Sequence, residues 1–275
     1  MRGIFLMIML GWLQVMPAQK IGPEALPERE AELKALFDRL YSEGGDSIKT
    51  KLARRIVEKF GEALSEEASF DYPWNSLDKI GKISSDDRQI RIFTWHLPLS
   101  REEVNYYGFI QIRLKRDRIR LFRLQDDPSA GQNSEIIDQS VDKWHGKLYY
   151  SIVEKHYEKE TCYTLLGMDF NNPLSTIKTV EALAIRRNKP VFLKNMFLDG
   201  PDRKNRMVLE YSSQVAISMR YNEQLGLIVF DHLTPLHPVY TGNYEFYGPD
   251  GSFDGLEFVN GTWILREDVD ARNPY

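Results

Sequence analysis

Asp169, Asn171, Asp231, His232, Asp250 and Asp254 are the side chains whose types and settings could do chemistry together. Asp231 stands beside His232, Asp250 and Asp254 fall in YGPDGSFDG, and Asp169 and Asn171 fall in GMDFNN. Glu267, Asp268 and Asp270 of REDVDARNP add carboxylates near the C-terminus. Oxygen-rich loops of this kind suit calcium, a hard cation that takes several carboxylate and carbonyl ligands. Their spacing fits no EF-hand loop, however, and Asp and Asn in turns ordinarily bond their own backbone. Asp231 with Asp250 as a catalytic acid and base is weaker still, because nothing in the sequence sets the separation such a pair needs. The six are therefore candidate ligand-binding residues, with no catalytic set, metal set or cofactor assigned.

Other signatures are missing. The chain has no GxSxG elbow, HExxH helix, phosphate-binding glycine loop, GxGxxG fingerprint or CxxC pair. Its histidines, His96, His145, His156, His232 and His237, include no pair at the i, i+4 spacing of a helical metal site. A formal charge of -4 and a pI near 5.8 argue against a general nucleic-acid binder. Six basic residues, Arg113, Lys115, Arg116, Arg118, Arg120 and Arg123, are nevertheless crowded into one short stretch that could meet a polyanion such as an acidic polysaccharide. Charge on an edge strand also serves simply to prevent pairing with other chains. Tyrosines and tryptophans such as Tyr149, Tyr150, Tyr244 and Trp263 could stack on sugar rings, but most fall in strand patterns where core packing is their ordinary work.

The elements that must position these groups are mostly strands. Trp144 to Pro173 holds two runs rich in Tyr, Val, Leu and Ile, joined at Glu158 to Glu160 and closed by Asn171, Asn172 and Pro173. It predicts a central hairpin with a polar exit. Ile90 to Trp95 reads as a strand, and Val104 to Leu114 pairs with Arg118 to Leu124 across Arg116 and Asp117. Ile177 to Ile185 is open between strand and short helix, and Val191 to Phe197 is a weak strand. Val208 to Tyr211, Val215 to Tyr221 and Leu225 to Phe230 read as a meander. Asn260-Gly261 predicts a two-residue hairpin, since both residues accept positive φ readily. The single cysteine, Cys162, excludes an internal disulfide and reads as a buried thiol.

Before the strands come three other segments. Met1 and Arg2 followed by an apolar run to Val15 and by Met16, Pro17 and Ala18 look like an export signal, residues 1–18, too short for a spanning helix. A Pro-containing leader, Lys20 to Pro27, leads to two helices. The first carries Leu33, Leu36, Phe37, Leu40 and Tyr41 and stops at Gly44-Gly45; the second, capped by Asp46 or Ser47, carries Ile48, Leu52, Ile56, Val57 and Phe60 on one face. The expected organisation is a helical hairpin in 19–69 and an antiparallel β domain in 70–275, with an internal boundary near 126–139. A sandwich, a rolled sheet or an irregular propeller would suit that strand spacing.

The segments SLDKIGKISSDDRQIRIFTWHLP, NYYGFIQIR, WHGKLYYSI, YTLLGMDFNN, FDHLTP, YEFYGPDGSFDGLEF and ILREDVDARNP, in this order, resemble a family of uncharacterised exported proteins of Gram-negative bacteria. The resemblance runs from about Phe70 to the C-terminus. It implies a periplasmic or secreted protein and carries over no activity, cofactor or catalytic residue. Where that pattern has Trp, Asp and Gly, this chain has Met168, Asp169 and Phe170, so a glycine turn there is not expected. The favoured expectation is a non-catalytic envelope module that binds a glycan or a protein. The alternative is an exported hydrolase, with or without the help of a metal, using the C-terminal acids and His232.

Overall fold

The computed structural model describes residues 22–100, 104–127 and 135–271. The expected export segment, 1–18, lies outside the described residues, as does the 128–134 half of the polar connection at 126–139. Helices α1 (Leu26–Ser42) and α2 (Asp46–Leu64) form the expected hairpin, broken at Gly44-Gly45. Helix α1 begins inside the stretch read as a leader. Pro27 sits in its first turn, where a missing N–H leaves no helical bond unmade.

The greasy faces of both helices close on one side of a four-stranded meander: β1 (Gly81–Ser84), β2 (Ile90–Pro98), β3 (Val104–Arg113) and β4 (Ile119–Gln125). Phe60 is the centre of this layer, with ring centroids 5.2 Å from Phe93 and 5.3 Å from Trp74. Strand alternation sends Phe93, Trp95 and Leu97 to the helices and Ile90 and Ile92 to the opposite face. Strand β2 is therefore buried on both sides, so even its polar Arg91 and Thr94 are buried.

That opposite face packs on a second sheet built from the central hairpin, β5 (Leu148–Tyr157) and β6 (Glu160–Asp169), with β7 (Ser175–Arg186) and β8 (Lys189–Phe192). A third sheet follows, made of β9 (Phe197–Asp199), β10 (Asp202–Lys204), β12 (Met219–Asn222), β13 (Leu227–Pro235), β14 (Tyr247–Val259) and β15 (Thr262–Arg266). Strand β11 (Arg206–Ser212) leaves this run and pairs with β7, giving the second sheet the order β11-β7-β6-β5. The helices and three sheets thus pack in series. Ile110 and Ile112 meet Leu165 and Leu183 in one interface, while Leu166 and Val180 meet Ile228 and Leu256 in the next. Trp263 ties the last two sheets by donating from Nε1 to Thr164 Oγ1 at 2.8 Å.

One open reading is settled and two expectations change. Ile177 to Ile185 is strand, because Val180 and Ala182 are needed on one face and Glu181 and Leu183 on the other. Val208 to Phe230 is not one meander: β11 joins the second sheet, β12 and β13 join the third, and Val215 to Ser218 form the link between them. Val191 to Phe197 spans the end of β8 and the start of β9 rather than forming one strand. Asn260-Gly261 does turn the β14–β15 hairpin, with φ of 49° and 83° and Val259 paired to Thr262.

Candidate functional site

The exit of the central hairpin is built from its last inward acid. Along β6, Tyr163, Leu165 and Asp169 point towards the first sheet, and Asp169 is buried there. Its Oδ1 accepts the Tyr106 hydroxyl at 2.7 Å and the Asn171 N–H at 2.8 Å. The Tyr106 oxygen in turn accepts the Phe170 N–H at 2.8 Å. Burial raises the Asp169 pKa, and these bonds work against the rise. Asn171 carries the left-handed turn with φ of 50° and donates from Nδ2 to Ser175 Oγ at 2.7 Å and to Glu210 Oε1 at 3.1 Å. Phe170 is not among the positive-φ residues, so no glycine is needed there.

Beyond this turn a groove of about 570 Å³ opens between β6, β7 and β11 of the second sheet and the link at 213–217, with Val104 of β3 at its side. Met168, Phe170, Tyr211, Val215 and Ile217 supply much of its apolar lining, and among the described residues Lys178 is its one charged side chain. Lys178 Nζ donates to the Ile217 carbonyl at 2.6 Å and lies 5.5 Å from the Tyr150 ring centroid. Burial lowers the Lys178 pKa while Asp231 opposes that change. Asp231 accepts the N–H of Ser218, the neighbour of Ile217. Asp169, Asn171 and Asp231 therefore shape the groove's flanks, but none of the three lines it.

His232, Asp250 and Asp254 sit elsewhere on the third sheet. A register shift in the β13–β14 pair falls between Asp231 and Leu233. His232 Nδ1 lies 2.7 Å from Asp254 Oδ2, and Asp254 Oδ1 accepts the Asp268 N–H at 3.2 Å. The bond to Asp254 raises the His232 pKa. Asp250 instead closes its own turn, accepting the Ser252 N–H at 2.9 Å and hydroxyl at 2.7 Å. Among the described residues no cluster of three or more His, Cys, Asp or Glu has the proximity to hold a metal ion.

A buried ionic group between the first and second sheets was not singled out from the sequence. Lys147 and Arg206 both contact Glu181, the latter at 3.5 Å, and Tyr149 donates to Glu181 Oε2 at 2.7 Å. Trp144 Nε1 donates to the Tyr149 hydroxyl at 2.9 Å, and His145 Nδ1 meets the Arg206 guanidinium. Burial would raise the Glu181 pKa, but Lys147 and Arg206 outweigh it and hold the carboxyl at about 2. Burial and those same cations push His145 down to about 4. The available signal was parity: Glu181 interrupts the apolar run TVEALAI, and Lys147 stands two positions from the inward Tyr149.

A second cleft, of about 640 Å³, lies beside the β5–β6 turn over Cys162, Leu193, Met196 and Phe258. It is larger, but it holds none of the six candidate residues. Its rim cation Arg186 is already tied to Glu160 by bonds of 2.6 and 2.8 Å. The fold and the two clefts define a layered, mainly antiparallel β protein with an amphipathic groove at the exit of its central hairpin. Compared with family models, curated proteins and solved structures, the chain gives no match.

Proposed function

We propose that the chain is an exported, non-catalytic binding module of the bacterial envelope, acting in the periplasm or outside the cell. Its ligand is a protein segment that seats an apolar side chain in the groove beside Lys178. The observation that carries this reading is the groove's lining: several apolar side chains around one half-buried lysine, with the neighbouring acids turned to structural bonds. An apolar side chain loses little on entering such a groove, and an adjacent carboxylate can take the lysine. A glycan fits less well, because its hydroxyls lose water on entry and need partners. The Lys178 ammonium already spends one proton on the Ile217 carbonyl.

A hydrolase would draw on His232 and Asp254, the one His–carboxylate pair among the six candidates. That pair fastens the segment at Asp268 to β14, which is a structural task. Panning a random peptide library against the purified chain lacking residues 1–18 tests the proposal. Enriched peptides should carry an apolar residue near an acid and bind about tenfold more weakly to Phe170→Ala. Peptides that bind this variant and the parent equally would overturn the groove as the site. Ester or peptide hydrolysis abolished by His232→Ala would overturn the non-catalytic reading.

A further inference from the structure

The basic stretch of β3 and β4 divides once its partners are known. Arg113 is committed: its guanidinium donates to Asp71 at 2.6 Å and stands 4.4 Å from the Phe70 ring centroid. The turn cations Lys115, Arg116 and Arg118 are exposed, as is Arg120 at the start of β4. Arg120 reaches across to the β7–β8 turn and donates to the Asn188 carbonyl at 3.3 Å. Asn188 is flanked by Arg187 and Lys189, both exposed. Two turns 68 residues apart are thereby joined into one cationic edge.

We propose that this edge, the β3–β4 turn with the β7–β8 turn, is a binding site for an anionic polysaccharide. Charge is the first support. Asp117 is the lone acid within either turn, and Glu160 is taken by Arg186 at the end of β7. Among the described residues, Lys115, Arg116, Arg118, Arg120, Arg187 and Lys189 make no ion pair. A local positive field on a chain of net charge -4 draws anions to this edge rather than to the surface at large. Backbone conformation is the second support. Arg116 and Arg187 hold φ of 63° and 52°, where Asn or Gly would fit more cheaply, so turn geometry does not account for the two arginines.

The surroundings select the class of polyanion. No exposed large apolar or aromatic side chain falls within either turn. Single-stranded nucleic acid is held largely by stacking on aromatic rings, and a bilayer surface by inserted apolar groups. Neither device is present at this edge. Arginine forks instead suit the paired oxygens of carboxylate or sulfate groups carried on a soluble chain.

Binding is measured at low salt to polygalacturonate and to dextran sulfate, with neutral dextran, an oligothymidylate and phosphatidylglycerol vesicles as the other arms. The expected result is binding to at least one acidic polysaccharide that weakens as salt rises, with none to dextran. Arg116→Asn combined with Arg187→Asn removes two charges while suiting the positive φ, so the fold is kept; a melting curve checks this. Affinity should fall about tenfold in that variant. It should hold in Lys51→Gln with Arg54→Gln, which changes the net charge equally on helix α2. Absence of binding to both acidic polysaccharides, equal losses in the two double variants, or tighter binding of the oligonucleotide or vesicles would each overturn the proposal. Phe170→Ala should leave polysaccharide binding intact, which separates this site from the groove.

Discussion

Replacing Glu181 by Gln changes little in shape but leaves Lys147 and Arg206, 3% and 1% exposed, without their shared anion. Removing one partner of a buried pair typically costs about 3–5 kcal/mol, because the stranded charge cannot be solvated. The Glu181 pKa points the same way: Lys147 and Arg206 hold it well below its ordinary value against the effect of burial. The sign is that of a depressed carboxylate. Its stabilising contribution is complete above the ordinary Glu value of about 4.3 and is lost as pH falls through the folded value. Urea unfolding followed by tryptophan fluorescence should therefore show a near-constant deficit for Glu181→Gln between about pH 5 and 8 and a shrinking one below about pH 4. Glu181→Leu combined with Lys147→Met and Arg206→Met should recover most of the loss, since no charge is then stranded. A deficit under about 1 kcal/mol in Glu181→Gln, at any pH in that range, would refute the reading of this group as a charged network.

The His232–Asp254 contact should titrate in the opposite sense: the bond to Asp254 raises the His232 pKa, so the gain is complete below the usual value of about 6.5 and lost as pH rises through the folded one. With 38% of the His232 side chain exposed, the effect is at most about 1 kcal/mol, read as a melting-temperature difference from His232→Asn that closes in alkali. Gly81→Ala would set a Cβ 2.6 Å from the Tyr149 carbonyl oxygen and 2.8 Å from Thr94 Oγ1, and should cost about 1–3 kcal/mol in urea unfolding. Gly44→Ala, with open space around it, is the near-neutral control. Burial raises the Cys162 thiol to about 11, so a thiol reagent at mildly alkaline pH should leave the native chain untouched and label it once it unfolds.

Local chemistry carried the sequence reading as far as local chemistry reaches. Gly44-Gly45 and Asn260-Gly261 are legible because backbone preference alone decides a helix break and a tight hairpin. The central hairpin is legible for a similar reason, with Tyr157 paired to Glu160 across a turn where Glu158 takes φ of 52°. Alternation shows which residues share a face but not which sheet a strand will join, so the departure of β11 to β7 was hidden. The partners of the acids were hidden too. Asp169 is bonded to Tyr106, 63 residues away, and Glu181 to Lys147, 34 residues away, distances at which spacing in sequence carries no geometric information.

In the binding reading proposed above, those long-range bonds give the exit of the central hairpin its task. Asp169 does not line the groove; it holds Tyr106, and the Tyr106 oxygen holds the Phe170 N–H. Asn171, bonded to Asp169 through its N–H and to Ser175 and Glu210 through its side chain, fixes the chain on the other side of Phe170. The Phe170 ring packs 4.9 Å from that of His96 and is still 36% exposed, facing the groove. A half-exposed aromatic would normally lose rotamer and backbone freedom on gripping a ligand, and a scaffold that has already removed that freedom lowers the cost of binding. Phenylalanine can occupy this position because the left-handed residue of the turn is Asn171, one place further on. The polar cluster is thus a frame for an apolar contact: its carboxylate and amides are used up inside the fold, and Phe170 is the side chain they present.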